Sequence, residues 1–211
     1  MRVLGLAMGV DATVVWEALW QEAADRLARN RVQHGACLVS GSWQRPLLQQ
    51  SGFCETNAVI FYDRSTRHLP EIGLGPAALR RLMLLDLDNV SDLDQRAFGH
   101  LWRVPRSTLE IAFRQAADAS VAEIDGQVAG YQLTTLSPLG AHLARLAVDP
   151  RWQGQGLGAA LVTGMLHRLH ERGTTRITLN TQADNLASQE LYRRLGFRQN
   201  GDRLPVFEST W

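Results

Sequence analysis

Val148-Asp149-Pro150-Arg151-Trp152-Gln153-Gly154-Gln155-Gly156-Leu157-Gly158 is the stretch on which the reading of the fold turns. Before it, His142 to Asp149 reads as a strand, closed by Pro150. After it, Leu157, Leu161, Met165 and Leu169 recur every four residues, one face of a helix reaching Arg172, and Gly173 fits a C-terminal cap. A glycine-rich turn between strand and helix is an anion site. The first helix amides have no internal partner, the dipole is positive there, and glycine lets the backbone approach a phosphate. A phosphate loop of the Gly-Lys-Ser/Thr kind fails here, because Ala159-Ala160 follow Gly158. A dinucleotide fingerprint needs Gly-x-Gly-x-x-Gly and an acidic residue about 20 positions on. The spacing here is Gly-x-Gly-x-Gly, and the next strand ends at Asn180-Thr181. A tight turn without ligand would not need glycine at 154, 156 and 158 together.

Downstream, Arg176 to Thr181 alternates as a half-buried strand does. Asp184 or Asn185 can cap a second helix that Gly196 ends, and Asn200-Gly201-Asp202 gives the tail to Trp211 a hairpin signal. Upstream, Leu79 to Leu87 reads as a strand, Asp88 to Phe98 and Ser107 to Ala117 as helices, and Asp125-Gly126 as the turn of a hairpin. The order is that of a mixed α/β fold.

The stretch Val148–Gly158 closely resembles the acetyl-CoA signature of the GNAT acetyltransferases, with Gln153, Gly156 and Gly158 at its fixed positions. The block Asn185-Leu186-Ala187-Ser188-Gln189-Glu190-Leu191-Tyr192-Arg193-Arg194-Leu195-Gly196-Phe197 resembles the family's second motif, in order and correctly spaced. The resemblance covers residues 79–211. It implies a mostly antiparallel sheet flanked by helices, and an N-acetyltransferase moving acetyl directly from acetyl-CoA to an amine. By the same resemblance Leu146, Ala147 and Val148 hold the pantetheine arm, Gln153, Gly154, Gln155, Gly156, Leu157, Gly158 and Ala159 take the pyrophosphate, and Asn185 and Ser188 contact the cofactor. Tyr192 shares a helix face with Ser188 and Asn185, and in the family a tyrosine there protonates the leaving thiolate. Relatives carry a glutamate base on one of two strands; His142 and Asn180 stand in those places, and histidine is the one that can act as a base. The alternative is an acetyl-CoA-binding sensor or scaffold without turnover. Phe98-Gly99-His100-Leu101-Trp102 resembles an aromatic segment of the ribosomal-protein alanine acetyltransferases, so a peptide N-terminus joins small amines and amino acids among the expected acceptors.

The first 75 residues repeat the order of the C-terminal portion: helix, short strand, helix, strand. Leu47-Leu48-Gln49-Gln50-Ser51-Gly52-Phe53 answers Leu191 to Phe197 at an offset of 144. The expected organisation is a degenerate partial copy over 1–68, a linker over 69–78 and a full domain over 79–211. At this offset Leu48 stands for Tyr192, and the glycine turn has no counterpart, so the first unit is expected to be structural.

A net charge of +1 offers no field for nucleic acid or anionic membrane. All 22 basic residues are arginine, which removes lysine chemistry. Cys37 and Cys54 have no metal-like spacing, and His167 and His170 lack a third ligand, so no metal is expected. No signal-peptide pattern and no run of about 18 apolar residues occur, so a cytoplasmic protein is expected, with a homodimer as an option.

Overall fold

The computed structural model describes residues 9, 11–71 and 77–210. In chain order the elements are α1 (Ala12–Arg29), β1 (His34–Leu38), α2 (Gln44–Gln50), β2 (Cys54–Ser65), β3 (Ala78–Arg81), α3 (Leu87–Ala97), α4 (Arg106–Gln115), β4 (Asp118–Ile124), β5 (Gln127–Ser137), β6 (Gly140–Val148), α5 (Leu157–Glu171), β7 (Arg176–Gln182), α6 (Leu186–Arg194) and β8 (Arg198–Thr210). Packing divides them into two units. One holds the chain up to Val59 with Gln182–Asp184 and the end of β8 from Arg203; the other holds Ile60–Thr181 and Asn185–Asp202. Of the expected linker, Gly73, Gly75 and Pro76 lie outside the described residues.

In the larger unit the strand order is β2-β7-β6-β5-β4-β3. β3 to β6 pair antiparallel, and β6 and β7 pair parallel. This is the mixed, mostly antiparallel sheet that the sequence leads one to expect. Asp125 (φ 49°) and Gly126 (φ 74°) both have positive φ, as a two-residue turn between right-twisted strands requires. Side chains alternate between two faces. Val121, Tyr131, Leu133 and Ala147 pack with α3 and α4 through Leu87, Val90, Leu93 and Leu109. Ala122, Ile124 and Ala129 pack with α5 through Leu157 and Leu161. The helix stripe read from the sequence is therefore the buried one.

Two expected elements differ. The strand expected over Leu79–Leu87 stops at Arg81, and a 3-10 turn at Leu84–Asp86 leads into α3. Asp86 causes the break: its carboxylate accepts from Arg80 at 2.7 and 2.9 Å and from the Met83 amide at 2.8 Å, which turns the chain. The tail makes no hairpin. Gly201 does take φ 91°, but β8 runs through it, because its last residues find β1 as antiparallel partner from Leu38↔Val206 to His34↔Thr210.

The smaller unit has the strand order β1-β8-β2 and a compact aromatic core. Val39, Leu48, Phe53 and Phe207 are its buried centre, with Trp16, Trp20 and Cys37 against them. Trp16 and Trp20 stack at 5.9 Å, and the Trp16 indole donates to Ser51 Oγ at 2.8 Å. Shifted by 144 residues, α1, β1, α2 and β2 fall on 156–173, 178–182, 188–194 and 198–209, within two residues at every end of α5, β7, α6 and β8.

Candidate active site

Parallel pairing of β6 with β7 covers three pairs, Ala141↔Ile177, His142↔Thr178 and Leu143↔Leu179. β6 continues to Val148, where among the described residues it pairs only with β5 on its other side, up to Gly130↔Val148. The edge of Ala144–Val148 that faces β7 is thus left without a ladder, an opening in the sheet whose backbone groups are available to a ligand. Leu146, Ala147 and Val148 all lie on it. Gly130 lets β5 and α5 close tightly behind: a Cβ there would sit 3.0 Å from the Ala147 carbonyl oxygen and 3.1 Å from Leu161 Cδ1.

The glycine turn follows at the end of that edge. Asp149 caps a 3-10 turn over Pro150–Trp152, and Gln153 Nε2 donates back to the Val148 carbonyl at 3.1 Å. Gly154 (φ 78°) and Gly156 (φ 82°) adopt backbone conformations that side chains disfavour, and nothing lies within 4 Å of where their Cβ atoms would point. Gly158 serves packing instead, since a Cβ there would meet Leu191 Cδ2 of α6 at 3.1 Å. Gly156 is the cap residue of α5, and its carbonyl accepts from Ala160 at 3.0 Å. Leu157, Gly158 and Ala159 therefore present amides with no intrahelical acceptor, alongside open space. The indole N–H of Trp152, in the same turn, is buried without an acceptor among the described residues.

α6 carries the second group of expected residues. Asn185 Oδ1 accepts from the Ser188 amide at 3.0 Å and starts the helix. Tyr192 is 5% exposed, edge-on to Phe197 at 5.9 Å and tilted against Tyr62 at 6.2 Å. Burial pushes its phenol well above the ordinary tyrosine value, so it stays protonated across neutral pH. The Leu191–Gly158 contact joins α6 to the turn. Leu146–Val148, Gln153–Ala159 and Asn185–Tyr192 thus belong to one neighbourhood of the larger unit.

His142 lies elsewhere on the strand. It sits in the paired part of β6, half-buried, with Nδ1 2.9 Å from Thr178 Oγ1. It precedes Leu146–Val148 by four to six residues, roughly 13–20 Å of strand. Burial lowers its pKa, so it is neutral at pH 7. Asn180 is exposed, one position past the last β6–β7 pair. His167 Nε2 donates to the Pro70 carbonyl at 2.8 Å. Among the described residues no three His, Cys, Asp or Glu side chains group as metal ligands, and no helix is long and apolar enough to cross a membrane.

Residues 87–197 match the model of the "Acetyltransferase (GNAT) family". The chain belongs to the GNAT acetyltransferases. The ribosomal protein bS18-alanine N-acetyltransferase of Escherichia coli K12 is 35% identical over 86 residues, 41% of this GNAT chain and 58% of that enzyme. A GCN5-related N-acetyltransferase from Sphaerobacter thermophilus shares the fold with TM-score 0.73 at 19% identity, over 93% of this chain and 66% of that one. A tandem GNAT protein from the clavulanic acid biosynthesis pathway superposes with TM-score 0.66 at 18% identity, over 96% of this chain and 72% of that one.

Several contacts in this GNAT domain have no counterpart in the sequence reading. Tyr62 reaches Tyr192 from 130 positions away, and nothing in its strand announces it. Asp94 is wholly buried and accepts from Arg145 at 2.6 and 2.8 Å and from the Tyr131 hydroxyl. Arg145 also donates to the Trp102 carbonyl at 2.8 Å and lies 3.8 Å over the Phe98 ring. The aromatic segment 98–102 is thus tied to the unpaired part of β6 by one guanidinium. A lone arginine in an apolar strand was the available signal, because a buried cation demands a buried anion.

Proposed function

We propose that this GNAT chain moves an acetyl group from acetyl-CoA to the nitrogen of an amine acceptor by direct transfer. The observation that carries the reading is the unladdered edge Ala144–Val148 running straight into a glycine turn with free helix amides. Leu146, Ala147 and Val148 would pair through their backbone with the pantetheine arm. Gln153–Ala159 would hold the pyrophosphate, for which open space at Gly154 and Gly156 and unbonded amides are the required chemistry. Acetyl-CoA supplies the activated thioester. A backbone amide on this edge, aimed at the acetyl oxygen, is worth about 3 kcal/mol to transfer in a preorganised site. As the acceptor nitrogen bonds to the carbonyl carbon, the carbon–sulfur bond breaks and the thiolate needs a proton. Tyr192 would give it; that it is buried and protonated supports this role. Asn185 and Ser188 support the cofactor beside it.

The residue that takes the acceptor's proton is open between His142 and water held by Asn180. The distance of His142 along β6 favours water. That same lack of a carboxylate at 180 is the one observation on the side of a non-catalytic sensor. The acceptor is an amine of a small molecule, an amino acid or a peptide N-terminus. The first unit is read as a structural partial copy of the domain, supported by four elements recurring at one offset and by the tandem protein's likeness.

Thiol release from acetyl-CoA, followed with a disulfide reagent over a panel of amines and peptide N-termini, tests this reading. Turnover with at least one acceptor is expected. Tyr192→Phe should lower kcat about 100-fold and leave acetyl-CoA binding within a factor of two. Tight binding with no thiol release for any acceptor would select the sensor instead.

A further inference from the structure

β2 packs along α6 from Gln189 to the helix end. Tyr62 and Arg64 stand two residues apart in that strand and so share one of its faces. The Tyr62 hydroxyl donates to Gln189 Oε1 at 3.4 Å, its ring meets Tyr192 at 6.2 Å, and the Arg64 guanidinium lies 5.8 Å over the Phe197 ring. Gly196 makes room for this approach, since a Cβ there would sit 3.2 Å from Arg64 Nη1. β2 is itself anchored at this end. The Thr66 amide donates to the Thr175 carbonyl at 3.1 Å, Thr66 Oγ1 donates to the Thr174 carbonyl at 2.7 Å, and Arg176 Nε donates to Asp63 at 3.2 Å. Tyr62, 6% exposed, is therefore a buried side chain on a fixed strand, and such a side chain holds a neighbour more precisely than one on a loop. Two rings meet Tyr192, Tyr62 at 51° and Phe197 at 65°. All these residues lie in the larger unit. Tyr62 nevertheless precedes residues 87–197, the span that matches the family model.

We propose that Tyr62 is a positioning residue for acetyl transfer: packed on Tyr192 and bonded to Gln189 three residues earlier on α6, it fixes the phenol where the leaving thiolate is protonated. This rests on the reading of Tyr192 as the acid. Proton transfer needs donor and acceptor within hydrogen-bond reach, so a phenol free to swing loses much of its effect. The site then takes one of its parts from β2, outside the family span, although the sequence leads one to expect only a structural role for residues 1–68.

The test is a double-mutant cycle on the full chain, with kcat read from thiol release and acetyl-CoA Kd from calorimetry. Tyr62→Leu should lower kcat about tenfold, as a misplaced catalytic group does, and leave the Kd within a factor of about two. Tyr62→Phe, which keeps the ring, should retain kcat within about threefold. In the Tyr192→Phe background, Tyr62→Leu should change kcat by less than about twofold, because no phenol is left to position. A packing role alone would lower kcat by the same factor in both backgrounds. Should Tyr62→Leu fail to fold, Tyr62→Met, which keeps more of the volume, is read in the same way. An unchanged kcat in Tyr62→Leu, or an equal loss in both backgrounds, overturns the proposal alone. Turnover of Tyr192→Phe at the wild-type rate overturns instead the reading of Tyr192 on which the proposal rests.

Discussion

α1 and α5 stand 144 residues apart at corresponding places in the chain and meet opposite fates. α5 buries eight residues and lies on β4, β5 and β6. α1 buries none. The stripe Leu157, Leu161, Met165 and Leu169 of α5 corresponds, at this offset, to Thr13, Glu17, Gln21 and Asp25 of α1. α1 packs instead on Trp16 and Trp20, each one position before a residue of that polar stripe and so turned about 100° round the helix. Trp20 corresponds to Gly164, where α5 comes so close to the sheet that a Cβ would meet Leu79 Cδ1 at 3.3 Å. Both helices pack on strands, but with faces about 100° apart. Where the stripe has turned polar, another face must find a core of its own, and two tryptophans supply it.

The largest effect that tests this contrast is in α5. Leu161 is fully buried, and Leu161→Ala should cost about 3 kcal/mol in chemical denaturation. Overfilling at the close approach comes next: Gly164→Leu should cost about 2 kcal/mol by forcing α5 from β3. Trp20→Ala, in the smaller unit, should cost about 1–2 kcal/mol, because Trp20 is only half-buried and keeps Trp16 as a neighbour; the fluorescence of the stacked pair would report it. The smallest effect belongs to Glu17→Leu, the counterpart of Leu161, which should stay within about 0.5 kcal/mol. A loss at Glu17 comparable to that at Leu161 would remove the contrast.

Acid should separate the two units as well. In the larger unit, hydrogen bonds from Arg151 and Arg96 hold Asp149 below the usual carboxylate range, and those from Arg80 do the same for Asp86. A depressed folded value means that this stability is present above the unfolded value near 3.9 and is lost as pH falls below it. Amide exchange followed from pH 5 to pH 2 should show the larger unit opening first. Tyr192 stays uncharged throughout, whereas His142, whose pKa burial lowers, adds to the same loss, because the unfolded chain takes up its proton first as pH falls.

The comparison also shows what was readable. The glycine turn, the Asn185 cap and the α5 stripe were legible because each is local: the residues that matter lie within one or two turns of one another. The strand expected through Leu87 failed because Arg80 and Glu123, on neighbouring strands, decide with Asp86 where the chain bends. The tail hairpin failed because a Gly201 turn signal competes with β1, a partner about 170 residues away. Where β6 and β7 part, after Leu143, depends on strands about 35 residues apart and is not carried by the motif that points to His142.

By itself, then, the sequence determined the family, the element order and the residues of the turn, since turn chemistry and helix periodicity act over a few residues. Only the tertiary structure decided that the β6–β7 ladder ends at Leu143, that Tyr62 leans against Tyr192, that Arg145 ties Trp102 to the sheet, and that Arg96 and Arg151 share Asp149. Each of these joins residues from separate elements, and a buried charge or an open sheet edge becomes visible only when the chain has brought its neighbours into place.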